Sequence, residues 1–198
     1  MMEHISDKPR WLSIRRPAVN ELTEKEWRQN RFGVYLFLVS QFIPYFVLVN
    51  VRVMMAGTFI PPDVNPWFGG LLPTIFLAAG AFVVWLGVAN CRSGNIHKLR
   101  VFFLTCTVLG FLGIVSLLIP LWAHTWDVLS HYGEVYVTCL GVAAVYTTIS
   151  VILVLGVIFR AGKGWIGPNT SFGAESAATI WTFNTLAWLA LYVTLQLI

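Results

Sequence analysis

The chain has 198 residues, of which 57% are hydrophobic, 15% aromatic and only 11% charged, with a mean hydropathy of +0.72. So few charges cannot cover the apolar surface of a water-soluble domain of this length, so a soluble fold is excluded and the bilayer is the solvent. The formal net charge of +4 does not point to nucleic acid, because the Lys and Arg, Arg52 apart, lie in loops and in a polar N-terminal stretch instead of on one face.

Residues 1–31 are polar and read as a cytoplasmic tail. Thr23 and Glu26 have capping-box spacing, so Glu24 to Arg31 is predicted to form a short interfacial helix leading into the first span. Trp11, Arg15 and Arg16 before Pro17 suit contact with anionic headgroups, and a tail docked on a partner subunit would read the same way. The first apolar run is too long for the core of a cleaved signal peptide, so it is expected to stay as an anchor.

Apolar windows fall at 32–55, 71–90, 101–122, 135–159 and 174–198, which predicts an all-α integral membrane protein, a five-transmembrane-helix bundle occupying residues 32–198. Lys and Arg sort across its connections. The tail holds seven, the second loop has Arg92, Lys98 and Arg100, and the fourth has Arg160 and Lys163, whereas the first and third loops offer Asp63, Asp127 and Glu134 instead. This bias predicts a cytoplasmic N-terminus and a C-terminus outside. Arg52, at the outer end of the first span, breaks the pattern; it is expected to snorkel to the headgroups, with an acidic group of a partner as the alternative.

Redox or transport chemistry would require ionisable or metal-binding side chains inside the spans. His4, His97, His124 and His131 all lie in the tail or loops, which excludes an intramembrane bis-His haem site, a copper centre and a di-iron centre built from this chain. His124, Asp127 and His131 could meet at an exterior metal site, but solvated loop polars are the expectation. Cys91, Cys106 and Cys139 are single and widely spaced, with no metal or thiol-redox motif. Glu175 opens the last span, where helix capping accounts for it. The remaining polar residues of the spans, among them Ser40, Gln41, Thr147, Ser150, Thr182, Asn184 and Thr185, are neutral, and such groups hydrogen-bond between helices or to backbone. No catalytic, cofactor-binding or metal residue is therefore assigned, and the chain reads as one component of a larger assembly.

Local pattern narrows that assembly. Gly33-Val-Tyr-Leu-Phe-Leu-Val-Ser-Gln41 resembles the opening helix G-x-W-L-F-L-x-S-E of the short, five-span bacterial form of subunit III of haem-copper oxidases. Tyr132 to Ile149 is similar to the family's F-G-S-x-F-Y-x-x-T-G-x-H-x-x-H, and Glu175 to Leu189 to its E-x-x-x-x-Y-W-H-F-V-D-V-V-W-L. Scaffold residues are kept, including Ser40, Gly141, Glu175, Trp181, Phe183 and Trp188. The ionisable ones are not: the Glu of S-E is Gln41, the two His of the fourth span are Ala143 and Tyr146, and the His and Asp of the last motif are Thr182 and Thr185. Gln41 thus reads as the isosteric remnant of a Glu, bonded either to Tyr146 or to a neighbouring backbone.

The resemblance implies a non-catalytic subunit of a terminal oxidase in the bacterial cytoplasmic membrane. It would pack against the haem- and copper-bearing subunit I and near subunit II, and hold phospholipids in a cleft between the first two helices and the other three. Arg52, Glu175, Trp181 and Trp188 are the candidates for structure or interface. Alternative assemblies are a nitric oxide reductase with a subunit III-like accessory protein, and another electron-transfer supercomplex. A stand-alone transporter would need the intramembrane charge or broken helix that this sequence lacks.

Overall fold

The computed structural model describes residues 24–62, 64, 67–122 and 127–196, so the expectations placed on residues 1–23, Asp63, His124 and the last two residues lie outside it. Five helices are long and apolar enough to cross a membrane: α1 (Glu24–Ala56), α2 (Leu72–Arg92), α3 (Ile96–Trp122), α4 (His131–Gly162) and α5 (Phe172–Gln196). A π-helical turn, Trp67–Leu71, feeds directly into α2. The described residues make the chain a multi-pass, all-helical membrane protein.

Three helices run well beyond their apolar windows. α1 begins at Glu24, because the polar stretch Lys25–Arg31 continues the span without a break. α3 begins at Ile96, where Asn95 Oδ1 accepts a hydrogen bond from the Lys98 amide at 3.2 Å, so the basic turn is half helix and the connection shrinks to Ser93–Asn95. Gly94 closes that connection at φ +84°, a left-handed conformation that a side chain would disfavour. α4 begins at His131, after the N-cap Ser130, whose Oγ accepts from the Gly133 amide at 3.1 Å. A Cβ on Gly133 would lie 2.4 Å from the Asp127 carbonyl, so only glycine lets the cap fold back this closely. Apolarity marks the hydrocarbon depth, whereas caps mark the helix ends.

α2 packs on α3 and α5, and α4 packs on α3 and α5, which closes a four-helix bundle. α1 lies outside that ring against α4 and α5. The first two helices therefore do not pair against the other three: α5 contacts both α1 and α2, and a cleft of the outline expected from the resemblance is replaced by grooves alongside α1. Among the described side chains of α1 only Tyr45 and Arg52 are buried, while α5 buries Trp181, Asn184, Thr185, Trp188, Leu191 and Leu195.

Candidate functional site

α5 carries the side chains that organise the bundle. Trp181 is 1% exposed, and its ring lies against Gly80 of α2 and Gly110 of α3, where an added Cβ would come within 2.6 Å of ring carbons at either glycine. Small residues on two helices thus make the slot that an indole fills. The Trp181 Nε1 donates to the Leu77 carbonyl at 3.1 Å, and the Thr185 hydroxyl reaches the same carbonyl at 3.3 Å as well as the Trp181 carbonyl at 3.0 Å. Two turns on, Trp188 Nε1 donates to Thr74 Oγ1 at 2.9 Å, whose own proton goes to the Gly70 carbonyl at 2.7 Å. Thr182 accepts from Trp85 Nε1 at 3.0 Å and donates to the Ala178 carbonyl at 2.9 Å.

Toward α4, Asn184 Nδ2 donates to the Tyr146 carbonyl at 3.0 Å and to the Ser150 hydroxyl. Asn184 was legible only as one neutral polar residue among several; its place three residues after Trp181 in an apolar helix is the signal that marks it as a pin between α4 and α5. Ala143 is 1% exposed, and its carbonyl takes the Thr147 hydroxyl at 2.7 Å. Four of the five positions at which the resemblance loses an ionisable group thus lie on the two neighbouring helices α4 and α5. Neutral donors and backbone acceptors meet there, an arrangement that can hold helices together.

Gln41 stands apart. Its Oε1 is buried without a hydrogen-bond partner among the described residues, and no hydrogen bond joins it to Tyr146. Tyr146 packs instead on Tyr45, one turn along α1, with ring centroids 5.3 Å apart, and Tyr45 also meets Phe183 edge-on at 6.3 Å. Aromatic packing occupies the place that the expected amide–phenol bond would have taken.

Two further residues depart from expectation. Arg52 does not snorkel: it is 1% exposed and turns into the protein, donating to the carbonyls of Gly57 at 2.7 Å and Phe59 at 3.0 Å. Those carbonyls follow the end of α1, where the helix dipole favours a cation and no intrahelical donor remains. The guanidinium also sits 5.0 Å over the Tyr132 ring of α4, while its Nε makes no hydrogen bond. Glu175 does more than cap α5. It takes the Ser171 hydroxyl at 2.6 Å and pairs with Arg92 at 3.1 Å, tying the start of α5 to the end of α2.

No group of three or more His, Cys, Asp or Glu side chains converges among the described residues; Asp127 Oδ1 there accepts from the Leu129 amide at 3.0 Å. Grooves border α1 instead. One, of about 460 Å³, lies between α1, α4 and α5 with Arg160 on its wall, and another, of about 320 Å³ and almost wholly apolar, lies between α1 and α5 around Phe42 and Phe183.

No family model matches the chain. It is 27% identical over 181 residues to cytochrome c oxidase subunit 3 of Marchantia polymorpha, which covers 83% of this chain and 67% of that protein. Against the same subunit of Drosophila yakuba and Bos taurus, identity is 28% and 26% over 177 residues, 83% of this chain and 68% of each relative. The matched length is most of this chain, and the comparisons together support a distant, subunit III-like relationship to cytochrome c oxidase subunit III.

Proposed function

We propose that this chain is a non-catalytic, subunit III-like component of a respiratory terminal oxidase. It packs against the haem- and copper-bearing subunit I, close to subunit II, stabilises that subunit, and holds phospholipid in the grooves beside α1. The observation that carries this reading is the similarity of 24–28% to subunit 3 proteins over 83% of the chain. Retention of Trp181 and Trp188, the family's scaffold positions, in the helix-joining contacts of α5 supports it. The haem and copper belong to the partner, and this chain contributes shape: a neutral bundle with one lightly packed helix at its edge. The five-helix form and the distribution of Lys and Arg support a bacterial cytoplasmic membrane with the N-terminus inside.

Purification in mild detergent through an N-terminal tag tests the assembly. Reduced-minus-oxidised spectra of the eluate are expected to show an a-type haem, with oxygen consumption and stoichiometric subunits I and II by mass spectrometry. A chain that elutes without haem while retaining transport or enzymatic activity of its own overturns the reading.

A further inference from the structure

The start of α1, the end of α2 and the start of α5 meet around a polar pocket of about 90 Å³ at one end of the bundle. α1 lines it with Trp27, Arg31 and Val34, whose spacing places them on one helix face. α2 adds its last residue, Arg92, and α5 adds Glu175 from its first turn. Charged groups at three helix ends thus face a common space at the depth where headgroups lie.

Charge in that space does not cancel. Arg92 donates to Glu175 Oε1 from Nε at 3.2 Å and from Nη2 at 3.1 Å, and the Ser171 hydroxyl reaches the same oxygen at 2.6 Å, so the carboxylate is already engaged. Arg31 makes no ion pair among the described residues. Its Nε donates to the Tyr35 hydroxyl at 3.0 Å, and its guanidinium lies 4.8 Å over the Trp27 ring. These contacts aim the guanidinium without neutralising it, and its remaining N–H groups form a planar fork suited to phosphate oxygens. Two cations against one carboxylate leave a single positive charge, the complement of a phosphodiester. Beside this charge an apolar space opens, because Val34 and Phe172 also line the groove of about 460 Å³ between α1, α4 and α5. An anionic head with an apolar tail matches both parts.

We propose that this pocket selects phospholipids of net negative charge by holding the headgroup phosphodiester between Arg31 and Arg92, with an acyl chain in the adjoining groove. The site rests on the reading that phospholipid lies beside α1, and it adds which lipid is preferred and which residues choose it.

Native mass spectrometry of the full chain in dodecyl maltoside tests it, with three probes titrated separately. They are dioleoyl phosphatidylglycerol, dioleoyl phosphatidylcholine, which has the same chains and phosphate but no net charge, and glycerophosphoglycerol, which has the anionic head without chains. Phosphatidylglycerol is expected to bind roughly tenfold more tightly than phosphatidylcholine, and the free head not to be retained. Arg31→Gln is expected to bring the two lipids within about twofold of each other, while Lys98→Gln, an exposed cation at the same end but outside the pocket, leaves the preference intact. Equal affinity of the wild type for the two lipids overturns the site while leaving lipid in the grooves, and decides even where a variant fails to fold. A preference that survives Arg31→Gln overturns it as well. Retention of neither lipid overturns the site and the lipid reading together, and glycerophosphoglycerol held as tightly as phosphatidylglycerol overturns a lipid as the source of the anion.

Discussion

Replacing Trp181 by Ala removes the side chain that α2, α3 and α5 share. The ring is 1% exposed and close-fitting on both glycine faces, so little collapse can refill the space. Taking roughly 140 Å³ of side-chain volume at about 24 cal/mol per Å³ of residual cavity gives about 3 kcal/mol. The lost Nε1 bond adds little, because the Leu77 carbonyl keeps the Thr185 hydroxyl at 3.3 Å; interhelical hydrogen bonds in membranes average about 0.6 kcal/mol. The expected loss is thus about 4 kcal/mol, read by reversible unfolding of the purified chain in mixed mild and denaturing detergent.

The converse perturbation fills the slot. A methyl at Gly80 must sit 2.6 Å from the Trp181 ring, so Gly80→Ala is expected to cost about 1–3 kcal/mol. In the Trp181→Ala background that methyl has room, and its cost should vanish, leaving a coupling energy close to the whole single-variant effect. If Gly80→Ala costs the same with and without the indole, or Trp181→Ala changes stability by less than about 0.5 kcal/mol, the slot does not hold the bundle together and the reasoning fails.

Gln41→Leu removes an amide whose oxygen has no donor, so stability should rise by up to about 1 kcal/mol in thermal unfolding; a fall of that size reveals a partner that the geometry lacks. Arg52→Leu deletes both bonds to the carbonyls after α1 and should cost about 2 kcal/mol and quicken proteolysis around residues 57–62; unchanged cleavage and unfolding would show the guanidinium to be idle. Arg92 and Glu175 form a pair whose side chains are 60% and 21% exposed, so a double-mutant cycle should give a coupling below about 1 kcal/mol that shrinks with salt. A salt-insensitive coupling above about 2 kcal/mol would place the pair in a far drier setting than the structure does.

Five spans could be read from the sequence because hydropathy over a helix length reports the thickness of hydrocarbon directly. Helix ends could not, since Asn95 and the polar run Lys25–Arg31 extend α3 and α1 by local hydrogen bonding that hydropathy does not register. Trp181 and Trp188 were legible as scaffold through the family pattern, but the glycines that receive Trp181, Gly80 and Gly110, lie on two other helices far from it in sequence, and nothing local pairs them. Arg52 went astray for a related reason. Its alternatives, headgroup or helix end, differ only in where the turn after Ala56 folds, which is a tertiary fact. The peripheral place of α1 was equally hidden: helices apolar all round carry no face that says which neighbour they meet.

The hydrogen bonds that bind α5 to α2 and α4 within the membrane join Trp, Thr, Asn, Ser and backbone groups, none of them charged. A membrane voltage does work only on charge, about 2.3 kcal/mol per elementary charge for each 100 mV crossed. Applied across this bundle, it finds nothing in those contacts to push. A membrane whose potential rises and falls therefore leaves these contacts of α5 with α2 and α4 as they were.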